Sequence, residues 1–478
     1  MSNISLPNAL KTKPLAVIST MNVDTNILDP VICNQEFCRF VLEKKGILDA
    51  GSTFTFSLGN AHVDMDPLMF LPVRTGIHSL IKRAVLRVGT KIISNIDDYA
   101  HYQTCKRQFK SIEEKNLKDM IKIGTHEGLE PGETAGTLQM KSAIYDAATK
   151  IVGKSLPEIR ILNDMTKSPV FQIKLSDLFP MLKNVQLPLF VFNEPVSVEL
   201  TFNTQADGAG QLGNVCCAAN DPGGGTYSTA VFLNTNSVKF LADYLTYDDD
   251  TMNETAAQVM SKNGLQMPYE DLIETIKSIP VVAGLTGVNS TTINTDIAVS
   301  NRRVRSLLIS TKKNQENNNL CGAYHSNAQT NNDEINVKIN DISLYPNDIK
   351  KEAQKQYELS KVFGRDIECH NVEYSFDMLT NKQDPANAVN NVLIANTCLF
   401  ESHPQSHLVG TNNYIGIDLS SSPVNRPGTG KLIGDKPIQL KRVFKRVAAE
   451  NDKAHTMRVF AMVERMMVIQ NGSIMVSN

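Results

Sequence analysis

The tightest group of metal-binding side chains in the sequence is Glu401, His403 and His407. Two histidines four residues apart hold a metal ion when both imidazoles project from one helical face. Pro404 lies between them and works against that helix, so the three are expected as loop residues in solvent rather than as ligands. Gly208, Gly210 and Gly213 match the letters of a dinucleotide-binding turn. That turn functions only where it opens a helix whose first amides face the pyrophosphate. Asp221, Pro222 and three further glycines follow within a dozen residues, so a polar surface loop is expected instead. Asp248, Asp249 and Asp250 lack the alternating ligand spacing and the glycine of a calcium loop, and read as a solvated turn.

Nucleophiles are equally bare of context. No serine sits in a Gly-x-Ser-x-Gly elbow, and no phosphate-binding Gly-x4-Gly-Lys-Ser/Thr loop occurs. Cys216 and Cys217 are adjacent, within the same glycine-rich stretch. Arg302, Arg303 and Arg305, and Lys441, Arg442, Lys445 and Arg446, surround the apolar positions Val304, Val443 and Phe444. They read as solvent-facing or interface charges on strands, not as a nucleic-acid groove with interleaved aromatics. No catalytic, cofactor-binding or metal-binding residue is assigned, and an enzyme is not expected.

The elements that would position any of these groups are mostly strands. Residues 53–58 alternate apolar and polar with period two, and a second strand is expected at 81–88, closed by Gly89. Further strands are expected at 170–174, 185–192, 196–202, 229–233 and 237–245. Asn193, Glu194 and Pro195 read as the turn of a hairpin between 185–192 and 196–202. The second half repeats the style at 292–299, 304–310, 335–344, 392–400, 414–419, 438–447 and 457–463. Asn471 and Gly472 between two apolar runs make the clearest hairpin signal in the chain. Helices are expected at 97–110, 137–152 and 349–363.

Composition agrees with strands and long loops. The 478 residues include 43 Asn, 27 Gly and 20 Pro, which favour turns. Lys and Arg number 48 against 50 Asp and Glu, a formal charge of −2. A strong non-specific binder of nucleic acid or of an acidic membrane would carry a large basic excess. No apolar run approaches the roughly 18–20 residues that span a bilayer, and the short stretch Leu15 to Ile18 is not read as a secretion signal. The 8 scattered Cys are expected as reduced thiols rather than a disulfide framework.

Three echoes relate the two halves. Residues 88–94 with the helix ending at Phe109 resemble residues 339–345 with the helix ending at Phe363, a spacing of 254. Pro195 before Val196 matches Pro437 before Ile438 at a spacing of 242, and residues 237–242 resemble 456–461. Their common order predicts two similar β domains in tandem. The expected division is an N-terminal arm over 1–50, a first sandwich over 51–255, a linker over 256–285 and a second sandwich over 286–478.

On residues 83–94 with Tyr99 and Tyr102, residues 187–196, and residues 337–346 before the second-half helix, the chain resembles the double jelly-roll major capsid proteins of virophages and Polinton-like viruses. These belong to the adenovirus hexon lineage. The resemblance covers nearly the whole chain from about residue 50, through loose patterns that carry no catalytic residues. It implies an all-β fold of two tandem jelly-roll sandwiches with short helices inserted between strands. It implies a subunit of a homotrimeric, pseudo-hexagonal capsomer that tiles an icosahedral shell, beside penton and minor capsid proteins. The expected location is the virion, after synthesis in the host cytoplasm or a viral factory. No cofactor, small-molecule substrate or specific nucleic-acid recognition is implied. Loops 205–229 and 312–333 are expected to project outward, and the arm and C-terminal hairpin to reach under neighbouring tiles.

Two other classes fit an all-β chain. A carbohydrate-binding or glycoside-hydrolase-like protein is disfavoured by the absence of Trp, a common sugar platform. A two-domain cupin enzyme would need a His-x-His pair, and the sequence has none.

Overall fold

The computed structural model describes residues 21–34, 36–60, 68–70, 76–107, 159–160, 170–183, 185–203, 217–218, 231–233, 237–281, 289–313, 334–350, 352–362, 415–421, 428–446 and 454–477. Within them the first half contributes eight principal strands. These are β1 (Asn22–Leu28), β2 (Phe37–Val41), β3 (Thr53–Asn60), β4 (Ile81–Val88), β5 (Lys91–Ile96), β6 (Val170–Lys174), β7 (Val196–Phe202) and β8 (Lys239–Thr246). They form two sheets in the orders β1-β8-β3-β6 and β2-β7-β4-β5, with short strands such as Ile47–Leu48 added to the first.

Period-two alternation drives this pairing. In β3 it turns Phe54 and Phe56 inward, and the antiparallel register sets Phe54 opposite Phe240 of β8. Their rings stack at 4.2 Å, and Phe40 from the facing sheet meets both edge-on at 5.3 and 6.1 Å. Such aromatic contacts add about 0.5–1.5 kcal/mol each beyond area burial.

The second half repeats the plan. Its strands are β9 (Leu265–Ile279), β10 (Asn289–Ile297), β11 (Arg303–Lys313), β12 (Glu334–Ile339), β13 (Ile342–Ser343), β14 (Ile415–Asp418), β15 (Ile438–Arg446) and β16 (His455–Gln470). The sheets run β9-β16-β11-β14 and β10-β15-β12-β13, the same order with every number raised by eight. Each echo read from the sequence joins equivalent elements: the turns after β4 and β12, the starts of β7 and β15, and the strands β8 and β16.

Register also places the connections. Leu28 lies opposite Phe240, Thr55 opposite Lys239 and Val170 opposite Ser57, so β1 and β3 end where β6 and β8 begin. The connections β1–β2, β3–β4, β5–β6 and β7–β8 therefore all leave one end of the sandwich. Segments from three of them, Leu68–Phe70, Ile159–Arg160 and Cys217–Ala218, pair with one another as a small separate sheet. Loops 205–229 and 312–333 lie mostly outside the described residues, and they are not equivalent. The first joins β7 to β8, whereas the second joins β11 to β12.

Several expectations need correction. Residues 22–50 are not an irregular arm: β1 pairs along its whole length with β8, and β2 with β7. Prolines at 7, 14 and 30 fall before or between these strands. Residues 256–285 are not a linker either. Helix α2 (Asp249–Met260), which follows α1 (Tyr99–Arg107) in the chain, crosses between the halves, and the 15-residue β9 begins at Leu265. Pro268 is tolerated inside β9 because β9 is the outermost strand in the sheet path. No hairpin forms between 185–192 and 196–202. Leu187 and Pro188 pair with Ile47 and Leu48 in one sheet, a short 3₁₀ turn follows, and β7 lies in the other sheet. The run 335–344 breaks at Asn340 and Asp341, whose φ of 53° and 65° turn it back as the β12–β13 hairpin. The third helix, α3 (Glu352–Val362), matches the expectation for 349–363. The helix expected at 137–152 and the strand at 392–400 lie outside the described residues.

Candidate assembly interface

The two sandwiches meet along a seam between β5 with α1 on one side and β9 with β16 on the other. Ser94 Oγ donates to Asp271 Oδ1 at 2.8 Å, and Tyr269 Oη donates to the Ile93 carbonyl at 3.0 Å. Arg465 pairs with Asp271 at 3.0 Å, while Arg458 bridges Asp98 at 2.7 Å and Glu274 at 3.4 Å. Tyr102 of α1 packs on Phe460 of β16 with ring centroids 5.9 Å apart. Alternation in β16 and β11 explains why one sheet serves two cores. Val459, Ala461, Leu307 and Ile309 face the second sandwich's interior, whereas Phe460 and Leu308 join the core of the first.

Burial shapes the charges here. Glu274 has its pKa pushed up to about 8, first by burial, then by the neighbouring Asp98 charge, with Arg458 opposing. Burial likewise raises the Asp271 carboxyl, against Arg465 and the Ser94 hydrogen bond, and pushes the Tyr269 phenol up to about 12. These groups border a cleft of about 590 Å³ lined by Ile92, Asp97, Asp271, Glu274, Arg302 and Arg465 among others. Among the described residues, no set of three His, Cys, Asp or Glu is arranged to hold a metal ion. The charges act on one another across the junction.

Both ends of the seam fix the relative direction of the halves. At the loop end Asp98 meets Arg458. At the opposite end Asn193 donates through its backbone N–H to the Gly472 carbonyl at 2.9 Å and through Nδ2 to the Asn471 carbonyl at 2.8 Å. Lys91 donates there to the Ile474 carbonyl at 2.7 Å. The two sandwiches therefore stand side by side with their long connections pointing the same way. The C-terminal hairpin is built as the Asn-Gly signal requires, with φ of 50° at Asn471 and 73° at Gly472. Contrary to expectation, its tip docks within its own chain.

The same comparison reveals what is left uncovered. The outer face of β9-β16-β11-β14 is covered at its centre, with Phe460 1% and Leu308 4% exposed, while Ile276 on the edge strand stays 55% exposed. Among the described residues the equivalent face of β1-β8-β3-β6 has no such cover: Val23, Val170 and Ile27, the last at 69%, are exposed. On the second sandwich, the strand and helix equivalent to β5 and α1 present Ile342, 73% exposed, and Tyr357.

No protein-family model matches the sequence, and no curated protein matches it. Solved structures do. The chain is similar to the PBCV-1 virus capsid at a TM-score of 0.56 and 10% identity, covering 96% of this chain and 97% of that one. It is similar to a chain of the Sputnik virophage at 0.54 and 11%, covering 95% and 88%. A third match is the Faustovirus major capsid protein, at 0.51 and 9%, covering 96% and 94%. This chain has the double jelly-roll fold.

Within the double jelly roll, the residues singled out from the sequence scatter. Glu401, His403 and His407 lie outside the described residues, as do Gly208, Gly210, Gly213 and Cys216. Asp248 precedes α2, where it accepts a hydrogen bond from Thr251 Oγ1, and Asp249 and Asp250 open the helix. Their charges favour the positive end of the helix dipole. Arg442 is a correction: it is buried, facing inward with Leu440 and Phe444, and donates to Thr311 Oγ1. Alternation along β15 forces that placement. Arg305 is ion-paired with Glu270, Lys441 with Asp348, and Arg303 donates to the Gly430 carbonyl. Asp98, Glu274, Arg458 and Arg465, which tie the halves together, carry no local motif by which a sequence reading would find them.

Proposed function

We propose that this chain is a major capsid protein, the repeating structural subunit of an icosahedral virus shell, and not an enzyme. The observation that carries this reading is the unequal covering of two equivalent sheet faces. Inside the chain, the β5–α1 flank of the first sandwich covers the centre of the outer face of the second. Among the described residues, the β13–α3 flank of the second sandwich and the outer face of the first remain open. A second copy supplies what is missing when its β13–α3 flank packs on β1-β8-β3-β6. In this reading that head-to-tail contact repeats the internal seam from chain to chain and closes into a ring of three. Six similar wedges then form a pseudo-hexagonal tile. Similarity over nearly the whole chain to the PBCV-1 virus capsid and to the Sputnik virophage supports the reading.

In this reading the sandwiches span about residues 22–246 and 265–477, with α2 between them, and the shared loop end forms one face of the tile. A net charge of −2 suits copies that lie side by side, since a strong single-sign charge would make them repel. Penton and minor capsid proteins are the further partners, the virion is the location, and synthesis takes place in the host cytoplasm or a viral factory. Residues 22–50 contribute strands, so of the arm expected over 1–50 only the part before Met21 is left to reach under a neighbouring tile.

The test is the mass and outline of the purified full-length protein. Light scattering is expected to give trimers, and negative-stain images particles of hexagonal outline. Ile27→Glu and Ile342→Glu, both at exposed positions, are expected to yield folded monomers with unchanged circular dichroism. Wild-type protein that stays monomeric at high concentration overturns the proposal.

A further inference from the structure

Cys33 and Cys38 are brought together by the hairpin that links β1 to β2. Cys33 ends the short strand Ile32–Cys33 and lies directly opposite Cys38 of β2 in the register. The flanking pair, Asn34 and Phe37, exchanges both backbone hydrogen bonds, at 2.9 and 3.4 Å. Cys33 and Cys38 are thus at a non-hydrogen-bonded position, where facing Cα atoms approach to about 4.5 Å. That separation falls within the range a disulfide spans, about 4.4–6.8 Å. The two Sγ atoms are 3.3 Å apart, in thiol–thiol contact and not bonded. Few cross-strand positions place two sulfurs so close, because the next pair along points to the other face.

The two thiols differ in access. Cys38 is fully buried in the first sandwich's core, and Cys33 is half-buried at its edge. Burial, then the contact with Cys33, holds the Cys38 thiol well above the ordinary cysteine range. An oxidant in solution therefore reaches Cys33 first, and Cys38 acts as the resolving thiol.

We propose that Cys33 and Cys38 are a reversible dithiol that closes to an intrachain disulfide when the protein passes from a reducing to an oxidising medium. With a small-molecule disulfide as oxidant, the Cys33 thiolate attacks one of its sulfurs. A mixed disulfide forms and one small thiolate leaves. Cys38 then gives up its proton to solvent base, attacks Cys33 Sγ and expels the second small thiolate. Two protein thiols are oxidised by two electrons, one small disulfide is reduced to two thiols, and the two protein protons end on those thiols. The bridge staples the hairpin at the loop end of the first sandwich. A protein made in a reducing cytoplasm and kept outside it would meet both conditions. The inference itself rests on the hairpin alone and stands or falls separately from the capsid reading.

The test uses full-length protein equilibrated with mixtures of oxidised and reduced glutathione, acid-quenched, alkylated under denaturing conditions and cleaved after Glu36. Mass spectrometry is expected to show the two flanking peptides joined in the oxidised sample, and both cysteines alkylated after dithiothreitol. Cys38→Ser is expected to leave Cys33 carrying glutathione. Because that core variant can fail to fold, Cys33→Ser is the second control, with Cys38 expected to stay unmodified in the native protein. Full alkylation of both residues in oxidised glutathione, or pairing of Cys33 with any cysteine other than Cys38, overturns the proposal.

Discussion

Burial at the seam makes Glu274 harder to ionise in the folded protein than in the unfolded chain. Its ordinary pKa of 4.5 is pushed up to about 8, chiefly by burial and by the Asp98 charge. A group whose folded pKa is raised contributes stability that is full below the lower value and lost as pH climbs through the higher one. Thermal melts of the wild type are therefore expected to weaken between about pH 4.5 and 8, and Glu274→Gln to flatten that decline. Equal slopes for the two proteins across this window would remove Glu274 from the account. Gly472 is the other single residue on which the seam depends. Its φ of 73° is costly for any residue with a Cβ, and an added Cβ would meet the Asn193 side chain at 2.5 Å. Gly472→Ala is expected to cost about 1–3 kcal/mol in denaturant unfolding. The turn is legible in the sequence because Asn-Gly has a local conformational meaning. The Glu274 cluster is not, since its members come from positions 98, 274 and 458 and have no shared local pattern.

Elements follow the same division. Strands with clean alternation, such as β3 and β15, are read from sequence because one face is wet and one dry. β1 is hidden in what looks like an arm: almost all its residues are exposed or half-exposed, and its partner β8 lies more than 200 residues away. The long β9 is obscured by Pro268, which only its edge position excuses. The Phe54–Phe240 stack ties β3 to β8 at the centre of the first sandwich. Phe240→Ala is expected to destabilise by about 3–5 kcal/mol, the range for a buried aromatic truncated to a cavity. Helix α3 lies so close to β14 that a Cβ on Gly416 would meet Leu359 at 2.7 Å and Val362 at 2.9 Å. Gly416→Val is therefore expected to displace the helix, read as faster hydrogen exchange in α3 than in β16.

At the scale of the molecule, the two sandwiches share a core across the seam. Phe460, Leu308, Met467 and Ile474 of the second half belong to the cluster built on the first. The chain is expected to melt in one cooperative transition, and Phe460→Ala to lower that transition as a whole rather than split off a half. Two resolved calorimetric peaks in the wild type would show that the seam is weaker than its burial suggests. In the proposed assembly the same logic extends outward, with the next copy completing the sheet face that the described residues leave exposed in the first half.

The sequence by itself determined the strand-rich class, the tandem repeat and the C-terminal hairpin, because each is written in local periodicity, in turn chemistry or in echoes at fixed spacing. It also carried the near-neutral charge that suits self-association. Tertiary structure alone decided which half β1 completes, which arginine is buried, and which of two equivalent sheet faces is covered at its centre. Those outcomes depend on pairings between residues hundreds of positions apart, and no local pattern records the partner a strand will meet.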